Sequence, residues 1–337
     1  MLQRLKQLVS QHKHVIVGGT VIVSSAFFAI RFAQKRLLEW QDNRTKEYIT
    51  RLAKEQHFTS TEKTCHQIIA SLGESLKINV DKLLDAEKLL SKLRSGTGNK
   101  FELWSELKIT VFTHLCTLLY SSLMLVILLK IQLSILSGYL FTENVDVLPL
   151  NFQEDYLSLC QHFLETGIPE LTSVIKKNVT IVLRDVSLKK EMTLQDVEQI
   201  FWSIETSLSY DEMDPIRNSA AYLLPQVKTN WISQAGLSDE ITEDTYELLE
   251  SDEAISVAYS CIKKAFSNIV DQIAGHFNTA DVNITKSVLP MAKIVPIIHT
   301  LFKTGGNDDC ITQFLLMDKI NMLGANIYQA FSNKQLH

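Results

Sequence analysis

Glycine and proline are scarce, at 12 and 6 in 337 residues. With so few breakers among many Leu, Ile, Lys, Glu and Gln residues, the composition favours long helices. No long basic run exists and the formal net charge is −5, so the clustered Lys and Arg needed to neutralise nucleic-acid phosphates are missing. The cysteines Cys65, Cys116, Cys160, Cys261 and Cys310 form no CxxC pair and are odd in number. That pattern fits reduced thiols used as small core residues, and it argues against a secreted, disulfide-stapled domain. The sequons at Asn43, Asn178 and Asn283 are accordingly read as chance matches.

Catalytic signatures are also missing: there is no HExxH, GxSxG or GxGxxG. Gly96-Thr97-Gly98-Asn99-Lys100 has the flavour of a phosphate loop, but its Lys is displaced and a helix, not a strand, precedes it. Cys65-His66 and Cys160 with His162 are metal-ligand types without a second pair at a metal-like spacing. Acidic pairs such as Asp308-Asp309 and Glu250 with Asp252 read as solvated turns and helix caps. The sequence therefore predicts no enzyme, no metal and no cofactor.

Apolar residues make up 46% of the chain and charged residues 21%, ample for a large core. Val15 to Ile30 carries no charge and is flanked by Arg4, Lys6 and Lys13 before and by Arg31, Lys35 and Arg36 after. A spanning helix needs about 17 to 25 residues, and Phe32 and Ala33 extend the run if Arg31 snorkels. A membrane anchor is the main reading. A cleaved signal ending near Ser24-Ser25-Ala26 is the rival, opposed by the apolar residues that continue past it. The slight basic excess after the run would put the body in the cytosol. Ile109 to Leu129 is a second uncharged stretch, and it supports two readings. It could be a second span, which would make this a multi-span protein such as a transporter component. Alternatively, the polar stripe Thr110, Thr113, His114, Thr117 and Ser121 marks the central helix of a bundle.

The rest of the chain reads as helix, with no repeat or low-complexity linker. A Leu-rich helix should stop at Gly96, and Asn99 with Glu102 has capping-box spacing for the next, running to Phe141. Further helices are predicted at 152–165, 169–186, 193–208, 216–234, 240–275, 288–303 and 308–331. The expected fold is all-α: a targeting segment and single transmembrane helix in 1–40, then one large cytosolic helical bundle in 41–337. Lys100, Trp104, Leu107 and Val111 share one face near a helix tip. Trp104 there is either a core residue or the aromatic anchor of a partner groove.

The run Asn99 to Phe112 (NKFELWSELKITVF), the Leu-rich stretch on to Lys130-Ile131-Gln132, and Ser137-Gly138-Tyr139 closely resemble the peroxin-three family. Shorter matches lie at Tyr48-Ile49, Phe58, Thr64-Cys65, Tyr156 to His162, Ser287 to Ile298 and Ala325 to Ser332. The resemblance implies a peroxisomal membrane protein with its helical body in the cytosol. It implies docking of peroxin-nineteen, the receptor that delivers new peroxisomal membrane proteins, by an amphipathic helix laid in an apolar groove. The family's groove motif maps onto Lys100 as a charge contact, Trp104 as the anchor and Leu107 as the groove wall, with Leu90, Leu93 and Leu103 at the rim. It also implies that Ile109 to Leu129 is buried. No small-molecule substrate is implied, and the only lipid contact is with the peroxisomal membrane. Two departures stand out: the basic cluster before the anchor is thin, with Lys13 alone between His12 and His14, and Ser209 to Asn218 is compact where relatives carry a longer loop.

Overall fold

The computed structural model describes residues 43–142, 150–225, 237–277, 287–303 and 310–333. The apolar run at 15–30 and the proposed boundary near 40 lie outside them. Among the described residues thirteen α-helices follow one another: α1 Asn43–Leu83, α2 Ala86–Ser95, α3 Lys100–Thr142, α4 Leu150–Ser158, α5 Cys160–His162, α6 Ile168–Leu183, α7 Leu194–Ser209, α8 Ser219–Leu223, α9 Leu237–Leu249, α10 Asp252–Phe277, α11 Met291–Lys303, α12 Cys310–Leu315 and α13 Asp318–Phe331. The only strands among the described residues are β1 Glu191–Met192 and β2 Leu289–Pro290, a two-residue antiparallel clasp.

Several boundaries differ from the periodicity for local reasons. The Leu-rich helix is broken at Asp85, whose side chain caps Lys88 N–H at 2.9 Å and starts α2. No turn separates α5 from α6. Phe163–Gly167 forms one π-turn, with Ile168 N–H donating to the Phe163 carbonyl, and Pro169, which has no N–H to give to the ladder, follows directly after it. Of the helix expected at 216–234, the described part is helical only over Ser219–Leu223, because Leu224 turns extended ahead of Pro225; 226–234 lie outside the described residues. The long helix expected at 240–275 is split at Ser251, whose hydroxyl accepts from Ala254 N–H at 3.2 Å. Likewise 308–331 is split between Leu315 and Asp318. By contrast, α7 begins at a full capping box between Thr193 and Asp196.

The described residues divide into two compact units, and α1, α3 and α13 contribute residues to both, so no linker in the sequence marks the division. The smaller unit takes its described residues from 43–68, 133–142 and 325–333. Its centre is aromatic. Tyr328 stacks on His57 at 5.8 Å and meets Phe58 at 5.0 Å and Phe141 at 6.4 Å, while Tyr139 and Phe331 pack edge-on at 5.4 Å. Gly138 lets the chain cross closely there: a Cβ at 138 would lie 2.6 Å from that of Phe331 and 3.0 Å from its carbonyl carbon.

The larger unit is organised on the first three-quarters of α3. Its apolar window is 94% buried, so Ile109 to Leu129 is a core helix of this unit, as the bundle reading expects. Within the polar stripe, His114 Nε2 lies 2.8 Å from Asp81 Oδ1. Beyond the stripe on the same helix, Gln132 donates to the Tyr156 carbonyl at 2.8 Å and Lys130 donates to Asn321 at 3.2 Å. Ser121 bonds back to the Thr117 carbonyl at 2.6 Å. Ile69, Gly73, Leu76 and Val80 form the buried stripe of α1 in this unit. The compact 209–218 segment is an Asx-rich turn. Asp211 accepts from Lys177 and Asn178, each at 2.9 Å, and from Met213 N–H, which together hold its carboxyl down at about 2. Asp214 in the same turn accepts from Ile216 N–H and from the Tyr259 hydroxyl.

Asn178 is 2% exposed and bonded to Asp211 and Ser207, so the sequon there is closed to glycosylation. Cys65, Cys116, Cys160 and Cys261 are buried thiols in no disulfide, and Cys310 is half-buried. Burial pushes Cys160 up to about 12 and Cys261 to about 11, which leaves both protonated and inert.

Candidate docking tip

The site singled out by the sequence lies entirely in the larger unit, where α2 and α3 form a helical hairpin. The connection, 96–99, is four residues long, within the range that joins neighbouring helices. Gly96 ends α2 in the left-handed region (φ 69°, ψ 15°) and Gly98 has φ 98°, two conformations that side-chain-bearing residues resist. Ser95 and Thr97 close the turn with a 2.8 Å hydroxyl pair. Asn99 then caps α3. Its Oδ1 accepts from Phe101 N–H at 3.1 Å, and its Nδ2 donates to Glu102 Oε1 at 2.9 Å. This is the expected Asn99–Glu102 partnership in a side-chain-to-side-chain form. Leu103 packs back over Gly98, within 3.5 Å of where a Cβ would stand.

Along the stripe that carries the motif, exposure falls inward. Lys100 is exposed, Trp104 is half-buried, and Leu107 and Val111 are buried, at 1% and 0%. Leu107, expected as a groove wall, is therefore inside the body, beneath the turn that carries Trp104. Leu90, Leu93 and Leu103 are all half-buried, as rim residues would be, while Leu89 of α2 is buried. The structure thus gathers the short stretch from Leu90 to Trp104 at one hairpin and withdraws Leu107 from its surface.

Two features of the tip escaped the sequence reading. Phe101 is 71% exposed, one residue from Lys100 and three from Trp104. The signal was available: Phe101 falls off the core stripe that starts at Leu107. The second feature is charge. From Lys88 to Lys100 the charged residues are Lys88, Lys92, Arg94 and Lys100, all basic and all exposed. None of them is in an ion pair among the described residues. A half-sunk indole, an exposed phenyl ring and unpaired cations together suit an amphipathic helix that carries acidic residues beside its apolar ones.

The hairpin is fastened to the body on both sides. Behind α2, Glu87 Oε1 lies 3.9 Å from His299 Nε2 of α11. One turn beyond Trp104, Lys108 is buried and its ammonium donates to the carbonyls of Leu183 and Val186; burial lowers its pKa. No group of three or more His, Cys, Asp or Glu side chains able to hold a metal ion occurs among the described residues.

A family model described as Peroxin-3 matches residues 94–148 and 142–328. A mouse protein named peroxisomal biogenesis factor 3 is 31% identical, with 99% of each chain covered, and the human protein of that name is 30% identical over the same shares. An Arabidopsis thaliana protein named peroxisome biogenesis protein 3-2 is 23% identical, covering 66% of this chain and 67% of its own.

Proposed function

The chain belongs to the Peroxin-3 family of peroxisome biogenesis proteins, and from that premise we propose that it is a docking receptor for peroxin-nineteen on the peroxisomal membrane. In this reading the apolar run at 15–30 is the single anchor, the helical body faces the cytosol, and the protein does no catalysis of its own. Trp104 is the aromatic anchor for the partner helix and Lys100 meets an acidic partner residue. Leu90, Leu93 and Leu103 form the rim, and Leu107 supports the floor from within. The observation that carries the reading is the exposed basic hairpin tip with the half-buried Trp104 at its centre. Burial of α3 supports it from the other side, since the apolar stretch that could have been a second span is occupied as core.

The test is calorimetric titration of the purified chain with the N-terminal helical peptide of peroxin-nineteen. Saturable one-to-one binding is expected. A folded chain that gives no binding heat and no mobility shift sinks the docking role.

A further inference from the structure

We propose that a groove in the smaller unit, between the start of α1 and the end of α13, binds the headgroup of an anionic phospholipid from the membrane in which the chain is anchored. The proposal rests on residues 15–30 being that anchor. The groove has a volume of about 750 Å³ and is open to solvent on one side. That is the size range of small-molecule sites, about 300 to 1,000 Å³. Arg51, Lys54 and Phe58 line it from α1 at i, i+3 and i+7, one helical face, opposite Tyr328, Gln329 and Asn333.

Charge argues for an anion. Lys54 is half-buried, and its one polar side-chain partner is the neutral Asn333 Oδ1 at 2.9 Å. Arg51 has no hydrogen bond or ion pair among the described residues. Glu55 is the one carboxylate in the lining and pairs with neither cation. Two cations against one carboxylate face the same space, and an anion between them would supply the counter-charge that Asn333 does not.

The floor argues for an amphiphile and against free phosphate. Phe58 and Tyr328 lie ring to ring at 5.0 Å. The Tyr328 hydroxyl is already engaged by His57 Nδ1 at 2.9 Å and the Lys54 carbonyl at 3.3 Å. It therefore offers the groove a ring and no spare donor. Phosphate at the cations with glycerol and the first acyl carbons over the rings uses both halves of the lining.

Position identifies the source. Only 20 residues separate Ile30, the end of the apolar run, from Thr50 at the edge of the groove, a chain length that reaches at most about 70 Å, and the basic residues Arg31, Lys35, Arg36, Arg44 and Lys46 fall within it. That tether holds the groove within reach of a lipid surface, and the basic stretch enriches anionic lipid beside it.

The test places the full chain in phosphatidylcholine vesicles doped with a phosphatidylserine whose acyl chain carries a photoactivatable group. Labelled peptides are mapped by mass spectrometry. Label is expected on peptides covering residues 50–58 and 325–333, competed by unlabelled phosphatidylserine and untouched by millimolar inorganic phosphate. Arg51→Gln with Lys54→Gln should weaken the competition roughly 30-fold, from two cations each worth a factor of about five at an anionic surface. Arg51→Lys with Lys54→Arg should restore it. An unchanged thermal unfolding curve reports that the fold is intact. Equal labelling of the neutralised variant, or equal labelling by a phosphatidylcholine probe, overturns the proposal. Competition by inorganic phosphate overturns the lipid source. Alkaline extraction separates the two readings: a chain retained in the vesicles but unlabelled defeats the groove alone, whereas a chain released by alkali defeats the anchor and the groove with it.

Discussion

The Lys108 ammonium lies 2.8 Å from the carbonyl oxygen of Leu183, closing the C-terminal end of α6 with a buried cation. The last carbonyls of a helix have no partner within it, and the negative end of its dipole favours positive charge. Val186 gives the same ammonium a second acceptor at 2.6 Å. Lys108→Met keeps most of the apolar stem and strands both carbonyls. It should lower stability by about 2 kcal/mol, the scale of a charge-assisted bond lost from a buried site, and a urea unfolding midpoint reads it directly. An unchanged midpoint would mean that water takes over both acceptors.

Acid should loosen the smaller unit through His57. Burial holds its pKa at about 4, against 6.5 unfolded. A depressed histidine leaves stability intact above the unfolded value and withdraws it as pH falls through the folded one. The loss should therefore develop between about pH 6.5 and 4, and for a shift of this size it reaches at most about 3 kcal/mol. His57→Phe keeps a ring against Tyr328 and Phe141 and removes the proton site, so it should flatten that part of the stability–pH curve. Parallel curves for the two proteins would assign the acid sensitivity in that window to other groups; Asp211, held near 2, withdraws its stability only at lower pH.

These two histidine and lysine roles show where sequence reading stops. Existence and type of helix were legible: Thr193 with Asp196, Gly96 and Asn99 with Glu102 announce their helix ends by chemistry. The breaks at Asp85 and Ser251 were not, because apolar spacing runs on across both and a capping side chain must be chosen over continued helix by packing elsewhere. The candidate tip was half legible. Periodicity put Lys100, Trp104 and Leu107 on one face, but a face has no depth, and depth is what separates half-buried Trp104 from Leu107 at 1% exposure. Buried Lys108, four residues from Trp104, carries no mark in the sequence that separates it from a surface lysine.

Close packing in the smaller unit should make Gly138 intolerant of any side chain. A Cβ there would meet Phe331 Cβ at 2.6 Å and Ser332 N at 3.0 Å, and the backbone of α13 has to move to admit it. Gly138→Ala gains helix propensity of about 1 kcal/mol but incurs overpacking of about 1 to 3 kcal/mol, so a net loss is expected. Thermal unfolding of the variant measures the balance. A rise in midpoint would show that α13 shifts freely.

The tip makes the sharpest claim on partner binding. Trp104→Ala should cost about 2 to 4 kcal/mol of peroxin-nineteen peptide affinity, the range of an aromatic hot spot. Because Trp104 is only half-buried, the melting temperature should move by a few degrees at most. Phe101→Ala should weaken binding by a smaller amount, about 1 kcal/mol, since an exposed ring at the edge of a contact loses less than one seated at its centre. Leu107→Ala should do the reverse: as a fully buried side chain it should cost about 2 to 5 kcal/mol of stability. Titration and melting of the three variants side by side separate a surface that binds from a core that supports it. Equal affinity loss with no melting change in Leu107→Ala would put Leu107 back in contact with the partner, and unchanged affinity in Trp104→Ala would remove the tip from the docking site.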